Sequence, residues 1–258
     1  MNNDYENTTN ASSEASLPEN NHLEPEANMT ESKENRTDLE ELLYTLGNIR
    51  EQRRKLIYGG VIPASKSEIN QLWGSALSSS GTLAEIYLES CDFYEKNLLD
   101  AFRFLPAYPH AATGTEWPIM LKPLNNVTGE LQALSITYLN RDGVGGAPVE
   151  PNDIVKGDDT GCSIHVRNNA GEHLEVICGL EAASSIMCRM EDDFPPYLWV
   201  VPTYEYLQSL ILPAFVSEIT ITELVDQAEK ELVLLEKFER RMKAAGRKFT
   251  YDVIFSGC

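Results

Sequence analysis

The stretch Leu174-Glu175-Val176-Ile177-Cys178-Gly179-Leu180-Glu181-Ala182-Ala183 decides the reading of this chain, because the rhythm of a strand gives way to that of a helix across Cys178-Gly179. Leu174–Ile177 reads as a strand, and Leu180–Met190 reads as the helix that follows it. The alternation continues downstream, with a strand expected at Leu198–Val201, a short helix at Tyr204–Leu210 and a strand at Ile219–Thr222. A long helix is expected over about Asp226–Ala245, carrying Ala228, Leu232, Leu235, Phe238, Met242 and Ala245 on one stripe, and a final strand at Phe249–Phe255. Gly246 is placed to end that helix, and Glu236 with Arg240 and Glu239 with Lys243 are spaced as i,i+4 pairs on its exposed side. Strands alternating with helices predict a mostly parallel sheet covered by helices, an α/β fold. Ligands and metals collect at the carboxyl ends of strands in such a sheet, which here means Cys178-Gly179 and Glu223–Asp226.

Toward the N-terminus the pattern changes. Residues 140–161 are rich in Gly, Pro and Asp and read as a loop or a lid. Before them, the apolar runs Ile119–Leu121 and Leu131–Leu139, joined by a Thr128-Gly129 turn, predict an antiparallel hairpin. Two helical patterns precede it, Ser67–Leu77 with Ile69, Leu72, Trp73 and Ala76, and Thr82–Ser90 with Leu83, Ile86, Tyr87 and Leu88, with Gly81 between them. A helix is also expected over Leu39–Arg54, where Leu42, Leu43, Leu46 and Ile49 share a face and Arg50, Arg53, Arg54 and Lys55 gather where the helix dipole favours cations. Residues 1–37 are dominated by Asn, Glu, Ser, Thr and Pro, hold a single aromatic, Tyr5, and read as a disordered acidic tail. The expected organisation is a tail over 1–37, a helical and β-hairpin subdomain over 38–161 and a mostly parallel sheet over 162–258.

Asp and Glu number 40 against 21 Lys and Arg, a net charge of −19, which argues against broad, non-specific binding of DNA by the whole surface. A local basic cleft and an acidic surface that imitates DNA both remain compatible with that balance. The five cysteines, Cys91, Cys162, Cys178, Cys188 and Cys258, form no CxxC pair and suit reduced thiols in a cytoplasmic compartment. No run approaches the ~18 apolar residues of a membrane span, and no signal peptide is expected. Cys178, at a strand end before a helix, is also read as a candidate nucleophile, with His165 and His173 as candidate bases.

Over roughly residues 68–255 the chain resembles the Toprim-containing, primase-like proteins of phages, plasmids and other mobile elements. The resemblance is carried by Gly81-Thr82-Leu83-Ala84-Glu85, Tyr87-Leu88, the run Phe102-Arg103-Phe104-Leu105-Pro106-Ala107, and Thr137-Tyr138-Leu139 followed by Asp142-Gly143 and Ala147-Pro148, in that order. Leu174–Phe255 is similar to the Toprim part. Where the family writes E-G-I-E-T-A this chain has Cys178-Gly179-Leu180-Glu181-Ala182-Ala183, and the first, catalytic Glu is replaced by Cys178. Where the family writes A-D-N-D-A-A-G, the first Asp falls on Leu224, the second is kept as Asp226 and the Gly falls on Glu229. The family's His-Arg before Thr-Tyr-Leu is Ser135-Ile136 here, and neither an N-terminal zinc module nor a GxxxxGK[ST] sequence is found.

Toprim chemistry needs several carboxylates on magnesium or manganese, and a thiol and an isobutyl group are poor replacements for hard oxygen ligands. The residual acids are Glu181, Glu223 and Asp226, with Asp226 and Glu181 as the metal ligands that remain, while Arg103 and Lys156 are the candidate contacts to nucleotide or nucleic acid. The reading the resemblance favours is a primase-like pseudoenzyme of a mobile element, without a cofactor, that binds nucleic acid or a replication or defence protein. Two others stand beside it: an active DNA primase or nucleotidyl transferase using Mg2+ or Mn2+, and an acidic DNA mimic or anti-defence inhibitor.

Overall fold

Ser65 starts the first helix by a reciprocal cap, its Oγ accepting from the Glu68 backbone N–H at 3.3 Å while the Glu68 carboxylate accepts from the Ser65 backbone N–H at 2.8 Å. The structure, a computed structural model, describes residues 60–91, 96–168, 171–189, 197–224 and 229–254. The expected acidic tail and the expected helix at Leu39–Arg54 lie outside those residues.

Among the described residues the first sheet is six-stranded, in the order β1-β6-β5-β4-β3-β2. Its strands are β1 (Val61–Ile62), β2 (Leu77–Ser78), β3 (Arg103–Pro109), β4 (Glu116–Asn125), β5 (Leu131–Tyr138) and β6 (Asp153–Gly157). The expected hairpin is its centre, β4 against β5 with Met120 opposite Thr137. Helices α1 (Lys66–Ser75), α2 (Leu83–Ser90) and α3 (Lys96–Ala101) accompany it. One expectation is corrected here: residues 140–161 are not all loop, because Asp153–Gly157 forms β6, antiparallel to β5 and parallel to β1. The Gly and Asp content hid a strand whose Ile154 and Val155 are both buried. Gly157 ends it at φ 101°, and a Cβ there would stand 2.8 Å from the Gln132 carbonyl oxygen of β5, so only glycine lets the strands approach.

Alternation along these strands gives the sheet two apolar faces. Ile119, Leu121, Leu134, Ile136 and Ile154 pack on Ile69 of α1, with Leu72 and Trp73 beside it. Phe104, Met120, Leu124, Ala133 and Val155 belong instead to the larger cluster that includes the apolar residues of the second sheet.

The second sheet has the order β11-β10-β8-β9-β7. It comprises β7 (Ile164–Asn168), β8 (His173–Cys178), β9 (Tyr197–Val201), β10 (Glu218–Leu224) and β11 (Lys248–Ile254), with α4 (Leu180–Arg189), α5 (Tyr204–Leu207) and α6 (Glu229–Ala244). Strands β11, β10, β8 and β9 are parallel, and β7 adds an antiparallel edge, so the chain is an α/β protein as its alternation predicts. Right-handed crossovers in opposite directions along the sheet, β8 to β9 through α4 and β10 to β11 through α6, put those helices on opposite faces. The Phe238 ring of α6, 6.0 Å from that of Phe249, marks the α6 face as the one bearing Ile219, Ile221 and Glu223.

Two details of the C-terminal helices differ from expectation. α5 stops at Leu207, and on α6 Leu232 is exposed while Leu234 is buried with Leu235, Phe238 and Met242. The stripe is therefore rotated at its first turn. Both i,i+4 pairs form, at 3.3 Å for Glu236–Arg240 and 2.6 Å for Glu239–Lys243. Gly246, at φ 72°, closes the helix with its N–H on the Lys243 carbonyl and the Arg247 N–H on that of Met242, a Schellman ending. No helix among the described residues is long and apolar enough to cross a membrane.

Ile69 is the buried residue of α1 and reaches zero exposure against the first sheet. Ile69→Ala is expected to lower stability by about 2–5 kcal/mol in urea unfolding, and a loss below ~1 kcal/mol would show that α1 does not hold that face.

Candidate functional site

β8 lies between β9 and β10, and the chain leaves the carboxyl ends of β8 and β10 toward opposite faces, which opens a switch-point crevice between them. The parallel register puts Thr222 beside Ile177, so the next residues, Cys178 and Glu223, are neighbours on the α6 face. Tyr204, the first residue of α5, is carried to the same face, and its hydroxyl donates to Glu223 Oε2.

Glu223 is only 1% exposed, and burial together with the charge of Glu231 in α6 pushes its carboxyl up to about 7. Burial, with Glu223 and Glu231 nearby, also pushes the Cys178 thiol well above its ordinary value. At neutral pH the pocket therefore holds a neutral thiol beside a carboxyl that is about half protonated. That chemistry is the reverse of what a nucleophilic cysteine needs, which is stabilisation of its thiolate. The Cys178 thiol is also a soft group where a hard divalent cation binds oxygen ligands. Among the described residues no group of three His, Cys, Asp or Glu side chains is arranged to hold a metal ion. The described donors do not fit magnesium or manganese, and no step is routed through either.

Glu223 stands next to Cys178, the position where the resemblance expects the first Glu. Leu224 ends β10 opposite Ile254 in the ladder, and Glu181 is the second residue of α4. Asp226 lies outside the described residues.

The two candidate bases do not meet Cys178. His173 begins β8, five residues before Cys178 and about 16 Å away at strand rise, and its Nε2 is 2.9 Å from Thr220 Oγ1. His165 stacks on Trp199 with centroids 4.1 Å apart, and burial pulls it down to about 4. The cysteine-enzyme expectation thus finds neither a stabilised thiolate nor either candidate histidine at the described site.

Arg103 and Lys156 lie elsewhere, on the α1 side of the first sheet. Arg103 pairs with Leu121 and Lys156 with Leu134, both residues of the face that packs on α1. The Arg103 guanidinium sits 4.6 Å from the centre of the Trp73 ring and donates to the Trp73 carbonyl at 2.7 Å. Lys156 Nζ is 3.4 Å from the Tyr108 hydroxyl. These residues and the Cys178–Glu223 pocket are separate features.

Sequence reasoning missed several buried polar contacts. Tyr204 carried no motif, and its partner is 19 residues away. Thr222 donates to Glu175 at 2.8 Å, and Lys122 donates to Thr137 at 2.8 Å while pairing with Asp153 at 3.6 Å. A polar residue inside an apolar strand pattern was the available signal for Glu175 and Lys122, though not for their partners.

Fold and pocket together define an α/β protein with two sheets and a proton-retaining pocket at the switch point of the second. A family model described as a domain of unknown function, DUF7146, matches residues 63–166, which hold β2 to β6 of the first sheet and the start of β7. No curated protein matches the chain. Among solved structures the chain is similar to the primase fragment of the bacteriophage T7 primase-helicase protein, at 10% identity and a TM-score of 0.39 over 68% of this chain. It spans 63% of the length of that fragment.

A carboxyl whose folded-state value is raised contributes most to stability below its unfolded value and loses that contribution as pH rises through the folded one. Glu223 should therefore make wild-type stability fall between about pH 4.5 and 7, by ~2–3 kcal/mol. Glu223→Gln should flatten that fall in urea unfolding measured across the same range. Glu175, raised in the same direction by burial, should leave a smaller slope of the same sign. An unchanged slope in the variant would show that Glu223 ionises normally in the folded protein.

Proposed function

We propose that this chain is a primase-like protein of a mobile genetic element that acts by binding, to nucleic acid or to a replication or defence protein, rather than by polymerising nucleotides. The observation that carries the reading is the state of the switch point. Where the resemblance places the first metal-binding Glu, there is a buried thiol that keeps its proton. The neighbouring Glu223 is engaged by the Tyr204 hydroxyl and holds its proton to higher pH than an ordinary carboxyl. Metal-assisted phosphoryl transfer requires ionised oxygens that bring a cation to the phosphates. A pocket that resists ionisation works against it.

The order of the sequence motifs supports the primase-like part of the proposal, and the parallel pairing of β8 with β10 supports placing the degenerate position Cys178 at the carboxyl end of the sheet, beside Glu223. The proposal needs no cofactor.

Template-directed nucleotide incorporation by purified protein, with magnesium or manganese, tests this directly. The wild type is expected to give no product, with a Cys178→Glu, Leu224→Asp double variant run beside it to ask whether the restored acids bring activity back. Metal-dependent product from the wild type that disappears in Asp226→Ala would overturn the proposal and make the chain an active nucleotidyl transferase.

A further inference from the structure

Among the described residues β11 pairs with β10 on one side, and no strand pairs with its other side. The Lys248 N–H donates to the Ser217 carbonyl at 2.8 Å, so Lys248 turns its backbone groups toward β10. Along a strand these groups point to alternate sides, so Thr250 and Asp252 turn theirs the same way. Phe249, Tyr251 and Val253 turn theirs to the open side. A seven-residue edge with no proline is a template for another strand.

The order of residues along this edge selects the strand that fits it. Lys248-Phe249-Thr250-Tyr251-Asp252 is symmetric in kind about Thr250, with an aromatic residue on each side and opposite charges beyond them. A second β11, laid antiparallel on the edge with a two-fold axis at Thr250, makes each of these pairs complementary. Phe249 then falls opposite Tyr251 of the second copy, and both belong to the outward set, so the two exchange backbone hydrogen bonds, twice by symmetry. Lys248 falls opposite Asp252 and Thr250 opposite itself, in the closer pairs where cross-strand side chains interact most. Moving the axis to Tyr251 keeps the hydrogen-bonding set but opposes Lys248 to Ile254 and Asp252 to Thr250, so charge favours the axis at Thr250.

The side chains are available for such pairing. Asp252 is exposed and enters no ion pair among the described residues. Lys248 pairs with Glu218 of β10, yet its side chain is 69% exposed, and an ammonium has three donors. On the α6 face, Val253 and Leu232 leave apolar surface in water. Arg241 donates to the carbonyls of Leu207, Gln208 and Leu210, which turns its flank of α6 toward α5 and β9. Leu232, nine residues earlier and half a turn round the helix, therefore lies on the flank toward the open edge of β11.

We infer that the chain forms a two-fold homodimer by antiparallel pairing of β11 with β11 of a second copy, joining two five-stranded sheets into one of ten strands. Charges on an open strand ordinarily guard it against pairing, but here symmetry sets each against its opposite. The net charge of −19 repels a second copy at a distance, and screening confines that repulsion to about 8 Å at physiological salt. The inference is independent of the binding reading above, because it uses no residue of the Cys178–Glu223 pocket.

Sedimentation velocity of the full chain across the micromolar range tests it. The wild type is expected to move with concentration from 28.9 kDa toward twice that mass. Asp252→Lys sets two ammonium groups opposite each other at both contacts, and Lys248→Asp sets two carboxylates there. Each alone should associate about tenfold more weakly or worse, since two attractive pairs become repulsive. An equal mixture of the two variants should recover the dimer, because each copy then offers the charge that the other lacks, a result that unfolded variants could not give. A wild type that stays monomeric overturns the inference and leaves the edge to an extended segment of a different protein. A wild-type dimer that both variants retain at full strength overturns it too, since the copies then meet elsewhere, as does a mixture no more dimeric than its components.

Discussion

Parallel pairing of β8 with β10 sets the geometry on which the second sheet depends. Thr222 lies beside Ile177, so the two carboxyl ends stop at the same level and the following residues of both strands share one pocket. The chain must then leave in opposite directions, through α4 on one face and α6 on the other, because right-handed crossovers to strands on opposite sides cannot share a face. Burial of Ile219, Ile221, Leu174 and Val176 holds this arrangement together. It also draws Cys178 and Glu223, which sit on the same side of the same strands, out of water. Their raised proton affinities are a consequence of where the sheet ends, with Tyr204 supplying a hydrogen bond to the buried carboxyl.

The first sheet uses the same physics to a different end. Both of its faces are apolar at the centre, one closed by α1 and the other joined to the core that includes the second sheet. What distinguishes the α1 side is the population at its margins, where Trp73, Trp117 and Tyr108 are anchored in the apolar layer while Arg103, Arg141 and Lys156 lie against them. The chain thus separates a buried pocket of raised proton affinity at the switch point from a face elsewhere on which cations lie against aromatic rings. An acidic total charge conceals that division, since composition sums over the surface and binding responds to local arrangement.

Much of the α/β alternation was legible because strand and helix periods differ, and Leu174–Ala183 contains both within one turn of chain direction. The β4–β5 hairpin and the ending of α6 at Gly246 were legible for the same reason, each having a turn residue with a local conformational cause. β6 was not, because five strand residues in a Gly- and Asp-rich segment are stabilised by ladders to β5 and β1 that no local pattern announces. The rotated stripe of α6 has a similar origin, since Leu232 and Leu234 are both apolar and only packing decides between them.

The amino-acid sequence alone determined the class of fold, the two strand ends at which a site would form, and the absence of carboxylates at positions 178 and 224, since periodicity and residue identity are local properties. Tertiary structure decided the rest. It brought Tyr204 to Glu223 across 19 residues, placed Glu223 beside Cys178, and separated both from Arg103 and Lys156. Those outcomes depend on strand order and on which face of a sheet each crossover covers. Burial and cross-strand neighbours, which follow from that order, then set the protonation of the pocket and the exposure of the cations.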